Sequence, residues 1–256
     1  FETQVLQSIS SDGGRAWSKP TMPFREHFLD TGLTVHTAYV TEVEPGRLMS
    51  NLIVTDHLGD PSLPFFNPDT GGLMPSTIRI SESSDWGRSW AEPRTVRTGR
   101  FDDEPVAPTS AIVCMGGGTL ICPFEKHKNY YDAGELVHYS GAVISRDGGR
   151  TWPELAIVAH DPARRRLYWD SRVARIGELR LIAGLWTHDS VEGKDLTVHA
   201  ALSEDGGRTW AEPMDTCIAG QNAWPVALGE GRVLLATVDR YGKAAIVAYL
   251  SEDGGR

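Results

Sequence analysis

Five copies of one short pattern constrain this chain more than any other feature of it. They read SSDGGRAW (10–17), SSDWGRSW (83–90), SRDGGRTW (145–152), SEDGGRTW (203–210) and SEDGGR (251–256). Aspartate, serine and glycine together build turns: a short carboxylate accepts nearby backbone N–H groups, and glycine takes φ > 0 at little cost. Short β-rich runs precede the last four copies, at residues 77–80, 141–144, 198–202 and 245–250. Each complete copy ends on a tryptophan that opens a proline-containing segment: WSKP, WAEP, WPEL and WAEP. A strand, a stiff turn and a second strand make a hairpin. The indoles of Trp17, Trp90, Trp152 and Trp210 are expected to anchor it, each burying roughly 150–250 Å². In the second copy Trp86 stands where the others have glycine, so that turn is expected to differ.

A second signal lies upstream of each of the last four copies: an apolar run, a glycine turn and another apolar run, at 39–54, 110–124, 171–186 and 224–238. These runs are nearly continuous, not alternating, as in strands buried on both faces. The unit is therefore four strands long, and no amphipathic helix of more than two turns interrupts it. The aspartates at 12, 85, 147, 205 and 253 stand 73, 62, 58 and 48 residues apart. Propeller blades run about 40–50 residues before loop insertions. The expected fold is all-β, a β-propeller of four-stranded antiparallel blades around a channel, with a sandwich as the alternative. It is expected to be one domain over residues 1–256. A partial blade takes 1–30, whole blades take 31–100, 101–162 and 163–218, and another partial blade takes 219–256. One to two further blades are expected in the intact protein, most simply making six.

At 256 residues the chain can bury a core without disulfides or metals. Its net charge of −9, from 34 acidic and 25 basic residues, argues against nucleic acid or an anionic membrane as partner. The one basic run, Arg164 to Arg166, reads as a solvated loop. Cys114, Cys122 and Cys217 have no metal-like spacing and read as buried free thiols, which leaves the redox compartment open. No apolar run approaches the ~18 residues of a membrane span, and no signal peptide is visible. No cofactor or metal is expected. Compartment and oligomeric state stay open.

The pattern S-x-D-x-G-x-x-W resembles the Asp box of sialidases (neuraminidases) and related BNR-repeat proteins. The resemblance implies that Asp12, Asp85, Asp147, Asp205 and Asp253 are structural, each at the turn between third and fourth strands, on the rim away from the active site. It also implies a glycosidase whose family members use three arginines, a Tyr–Glu pair and an acid/base Asp, tyrosine being the exception to the two-carboxylate scheme. The family's Phe/Tyr-Arg-Ile-Pro string has its nearest counterpart in Phe24–Arg25–Glu26, which lacks Ile-Pro and follows a box. That arginine is not carried over, and no string matches the Tyr–Glu pair.

If the boxes occupy one rim, the other holds the starts of inner strands and the ends of second strands, where several blades converge. Four stretches qualify: Asp56–His57 with the loop 58–72; Glu125 to His127 with Tyr130 and Tyr131; Tyr168 to Arg172 with Trp186 to Asp189; and Gln221 to Trp224 with Asp239 to Tyr241. Acid/base work at a glycosidic bond needs carboxyl groups with separated proton affinities. Asp170, Glu125 and Asp239 are the candidates for acid, base or nucleophile, and Arg172 and Arg240 for clamps on an anion or hydroxyl. Tyr241, His127, His188, Trp224, Gln221 and Asp56 complete the expected sugar-binding surface. Asp170 and Arg172 share a strand face by the two-residue period, and a structural alternative makes them an ion pair between blades. Other structural alternatives exist as well. His57, His127 and His188 cap loops rather than ligate a metal, Trp224 is a core wedge, and Glu125 and Asp239 are solvated. Two functions follow: a sialidase-like glycoside hydrolase acting on a glycan, or a non-catalytic propeller that binds glycan or protein.

Overall fold

A computed structural model describes residues 5–240, 242 and 244–255. The chain begins with a bridge between Gln7 and Thr21 and one helical turn, α1 (Arg25–Phe28). Four sheets follow in chain order, every strand pair antiparallel. The first is β1 (Leu33–Glu44), β2 (Arg47–Asp56), β3 (Ser76–Ser83) and β4 (Arg94–Thr95), hydrogen-bonded in that order. In the second, β5 (Val106–Pro108) and β6 (Val113–Gly116) share one neighbour, β7 (Thr119–Lys126), which pairs β8 (Tyr139–Ser145) and through it β9 (Glu154–Ala159). The third is β10 (Arg166–Arg175), β11 (Leu181–Asp189), β13 (His199–Ser203) and β14 (Met214–Asp215), with β12 (Lys194–Asp195) added to the end of β11. The fourth is β15 (Gln221–Gly229), β16 (Arg232–Asp239) and β17 (Ala245–Ser251). The result is an all-β, four-bladed propeller. Among the described residues no helix is long and apolar enough to cross a membrane.

The core lies in the seams between blades, as the continuous apolar runs demand. Met49, Ile78 and Ile80 of the first blade pack against Phe101, Leu120, Phe124 and Trp152 of the second. Ile121, Ala142 and Ile144 then meet Val173, Leu181 and Leu185 of the third, and Ile182, Ala200 and Leu202 meet Val233 of the fourth. Both faces of β2, β7 and β11 are consequently buried over most of their length.

The boxes close the hairpins after β3, β8 and β13, and a further box follows β17. In each, serine contributes as much as aspartate. The Ser145 hydroxyl donates to Asp147 at 2.8 Å and accepts the Gly149 N–H at 2.8 Å, while Asp147 accepts the Thr151 N–H at 2.9 Å and hydroxyl at 2.7 Å. Ser83–Asp85, Ser203–Asp205 and Ser251–Asp253 repeat the arrangement. The second glycine has a further job. A Cβ on Gly149 (φ +86°) would come 2.6 Å from Met49 Cε, one on Gly207 (φ +85°) 2.9 Å from Ile121 Cδ1, and one on Gly255 (φ +79°) 2.6 Å from Ile182 Cδ1. Each contact is to the second strand of the preceding blade. Arginines of the first blade reinforce its seam: Arg47 donates to Glu82 at 2.7 Å and to the Gly148 carbonyl at 2.9 Å, and Arg94 to the Gly149 carbonyl at 2.6 Å.

Three expectations need correction. Trp90 and Trp152 are buried, but Trp17 is 64% exposed, its indole N–H bonded only to Gly14 of its own turn. Trp86 takes φ 63° in place of glycine and stays exposed beside Gly46, so the altered box keeps its form. Of the three free cysteines only Cys122 is buried; Cys114 is half-buried and Cys217 exposed.

Candidate active site

Strand register places the boxes and the candidate carboxylates at opposite ends. In β7, Leu120 pairs Ser145 of a box, whereas Glu125 pairs Ser140 five residues on. In β11, Leu181 pairs Ser203 of the next box, and Trp186 faces Trp169 towards the other end. Near that end every inner strand is irregular. β1 bulges between Val35 and Thr37, β10 between Trp169 and Arg172 and β15 between Gln221 and Trp224, while β5 and β6 are two pieces of one broken strand. Bulges re-aim side chains and are frequent beside active sites.

The bulge in β10 holds Asp170 at φ 49°. Its peptide N–H is thereby turned to β7, where the Glu125 carboxylate accepts it. Its own Oδ1 accepts from Arg172 Nη2 at 3.2 Å. Arg172 Nη1 donates to the Tyr39 hydroxyl of β1 at 2.7 Å, and the guanidinium lies over the Trp224 ring of β15 at 4.9 Å. Residues from three blades therefore meet at one arginine that is 8% exposed, and Glu125 of the second blade joins them through the Asp170 peptide. The expected face-sharing of Asp170 and Arg172 is present, and their ion pair lies within one strand, not between blades. Glu125 is 5% exposed, so it is not a solvated loop charge, and Trp224, 39% exposed, is not a core wedge.

Burial sets the electrostatics. It raises the proton affinity of Glu125 above the ordinary carboxylate range. It raises that of Asp170 too, with the neighbouring Glu125 charge adding to the effect and Arg172 opposing it. His127 Nε2 stands 3.4 Å and His138 Nε2 3.9 Å from Glu125 Oε2. Burial pushes both imidazoles down to about 4, so both are neutral at neutral pH. Ligand atoms of Glu125, His127 and His138 lie within 4.8 Å of one another, close enough for a cation to be considered. His138 Nε2, however, donates to the Tyr168 carbonyl at 2.9 Å, and the Lys126 charge acts on both rings. The trio reads as a carboxylate lined by two neutral imidazoles.

A second row adjoins Asp170. His188 Nδ1 bonds Asp195 Oδ1 at 2.7 Å, and Asp195 Oδ2 accepts from Gln221 Nε2 at 2.6 Å. The His188 ring stacks on Trp169 at 4.6 Å, and Trp186 meets Trp169 edge-on at 5.0 Å. His57 bonds Thr34 at 2.8 Å instead, so His57, His127 and His188 serve three separate places. Asp56 is exposed and caps Leu58 at 2.8 Å; Asp239 accepts the Gly242 N–H at 3.2 Å. Each holds a turn of its own. Arg240 is exposed and acts on Asp170 only through a weak attraction. Tyr241 lies outside the described residues. Tyr39, His138 and Asp195 were not legible as site residues: Tyr39 sits in an apolar run, and its partner Arg172 is 133 residues away.

Fold and strand register define a propeller with boxed turns at one end of the strands and an acid–arginine cluster at the other. The chain belongs to the BNR repeat-like domain family, whose profile matches residues 33–256, and has the propeller fold of the sialidase superfamily. It is 28% identical over 205 residues to a sialidase of Micromonospora viridifaciens, an alignment covering 71% of this chain and 31% of that protein. Its fold matches a protein of unknown function from Dyadobacter fermentans with a TM-score of 0.74 at 19% identity, over 96% of this chain and 67% of that one. It matches the Hadza microbial sialidase Hz136 with a TM-score of 0.69 at 20% identity, over 97% and 50% of the two chains. The chain thus spans less than a third of the curated sialidase and half of Hz136.

Proposed function

We propose that this protein is a sialidase-like glycoside hydrolase that cleaves a glycan at the rim carrying Glu125, Asp170 and Arg172. The observation that carries the reading is a chain of contacts: the buried Glu125 carboxylate accepts the Asp170 peptide N–H, and the half-buried Asp170 carboxylate is ion-paired with Arg172. Asp170 is the acid. Burial and the Glu125 charge raise its proton affinity, and its proton passes to the glycosidic oxygen as the bond to the sugar breaks. Arg172, already bonded to Asp170, then stabilises the carboxylate left behind. A water molecule adds to the anomeric carbon and returns a proton to the acid. Glu125 positions the Asp170 peptide and is the second carboxyl of the pair. His127, His188, Gln221 and Trp224 supply hydroxyl partners and an apolar ring, with Arg240, Tyr241, Asp56 and Asp239 at the margin. In the whole protein the propeller has six blades. The two similar proteins named as sialidases support the reaction class.

One observation favours the alternative of a non-catalytic propeller that binds glycan or protein: both terminal nitrogens of Arg172 are already engaged by Tyr39 and Asp170. A panel of chromogenic glycosides that includes a sialoside, tested on the full-length protein, separates the two. Turnover that Asp170→Asn abolishes supports hydrolysis; glycan binding with no turnover across the panel supports the alternative.

A further inference from the structure

The loop between β2 and β3 carries two adjacent phenylalanines. Phe65 turns inward and stacks on His36 at 4.4 Å. Phe66 turns outward and is 48% exposed. Its ring meets His127 edge-on at 5.6 Å, and His127 in turn stands 3.4 Å from Glu125. An aromatic ring with an exposed half is thus held one side chain away from Glu125.

The loop is not free to fold that ring away. Asn67 Nδ2 and Thr70 Oγ1 both donate to the Tyr130 carbonyl, at 3.0 and 2.6 Å, and the Tyr130 hydroxyl donates back to the Pro64 carbonyl at 3.0 Å. Met74 N–H bonds the Phe65 carbonyl at 3.1 Å, and Leu73 N–H bonds the Lys128 carbonyl at 2.9 Å. At Gly72 the backbone approaches the second blade so closely that a Cβ would lie 2.2 Å from the Asn129 carbonyl oxygen. These bonds fasten the loop to the residues that follow β7, which itself carries Glu125. Long loops in compact domains are usually functional. Part of the ring packs edge-on against Phe65 at 5.3 Å, but its exposed half adds nothing to the fold, because an apolar surface gains stability only by leaving water.

We infer that Phe66 forms a second sugar-binding position, which stacks on the apolar face of an adjoining sugar ring of the glycan held at Glu125 and Asp170. The inference rests on the reading of that rim as a glycan site and deepens it: the ligand is an oligosaccharide, one sugar at the carboxyl pair and the next against Phe66, not a single sugar. Flat apolar rings recognise the C–H face of a sugar by contact area, without hydrogen-bond demands.

The test is binding to the full-length protein, measured by calorimetry for lactose, cellobiose, arabinobiose, xylobiose, 3′-sialyllactose and their component monosaccharides. The wild type is expected to bind at least one oligosaccharide about ten-fold more tightly than its monosaccharides. Phe66→Ala and Phe66→Leu are expected to remove that difference and leave monosaccharide affinity unchanged, and Phe66→Trp to restore it. Leucine keeps an apolar packing partner for Phe65, so its loss of affinity reports the missing flat ring and not a misfolded loop. Oligosaccharide affinity that is unchanged in Phe66→Leu, an equal loss for monosaccharides, or no binding by any member of the series overturns the inference. A Phe66-dependent preference without turnover in the glycoside panel removes hydrolysis and leaves the subsite; turnover without that preference does the reverse.

Discussion

At the scale of residues, the site turns on how Glu125 acts on Asp170. Both carboxyl groups have raised proton affinities, burial being the larger cause in each and Glu125 the next for Asp170. Activity that needs the protonated Asp170 is present below its folded-state pKa and lost as pH rises through it. Glu125→Gln removes a charge that raises that pKa, so the alkaline limb of the pH–rate profile is expected to move to lower pH. A profile of kcat/KM for both proteins checks the sign. Arg172→Lys keeps the charge but cannot bond Tyr39 and Asp170 together, and a loss of about 10²-fold in kcat is expected. Tyr39→Phe, which removes only the arginine's support, is expected to cost less. Part of this site was readable in the chain. The stretch from Tyr168 to Arg172 was legible as part of the site, although a bulge and not an unbroken two-residue period brings Asp170 to Arg172, and turn logic placed Glu125 at a strand end. The bulge at Asp170, the Tyr39 contact and His138 were not readable, because they depend on which strands become neighbours around the ring.

At the scale of elements, the box is a hydrogen-bonded knot with two poles, and its aspartate titrates accordingly. Hydrogen bonds from Ser89 and Ser83 hold Asp85 down to about 2 from an ordinary 3.8. Hydrogen bonds from Thr151 and Ser145 likewise lower Asp147. A depressed folded-state pKa contributes stability that is present above the ordinary value and lost as pH falls through the folded one. Thermal melts should therefore fall steeply between about pH 4 and pH 2, and Asp85→Asn should be less stable at neutral pH with a shallower acid slope. Ser145→Ala leaves the buried Gly149 N–H without its acceptor, a cost of roughly 1–3 kcal/mol in a denaturant titration. The hairpins were legible as elements because continuous apolar runs and boxes recur in register. The broken inner strand of the second blade and the two-residue β12 were not: Lys194–Asp195 carries no apolar pattern, and its pairing follows from the course of β11.

At the scale of the whole molecule, stability is shared between neighbours, since the core fills the seams. Gly149→Ala places a methyl group against Met49 and forces a left-handed backbone on alanine; a loss of roughly 1–3 kcal/mol is expected. Hydrogen exchange should show where the loss falls: faster exchange in β2 of the first blade, although the substitution is in the second. The boxes overlap their predecessors as shingles do, each course pressing down the edge of the one laid before it. Tyr39, Glu125 and Asp170 are nailed to three successive courses, so a lifted shingle far from Arg172 pulls them out of line. A box variant that still folds should accordingly weaken the grip of Arg172 on Tyr39 without altering any residue near either.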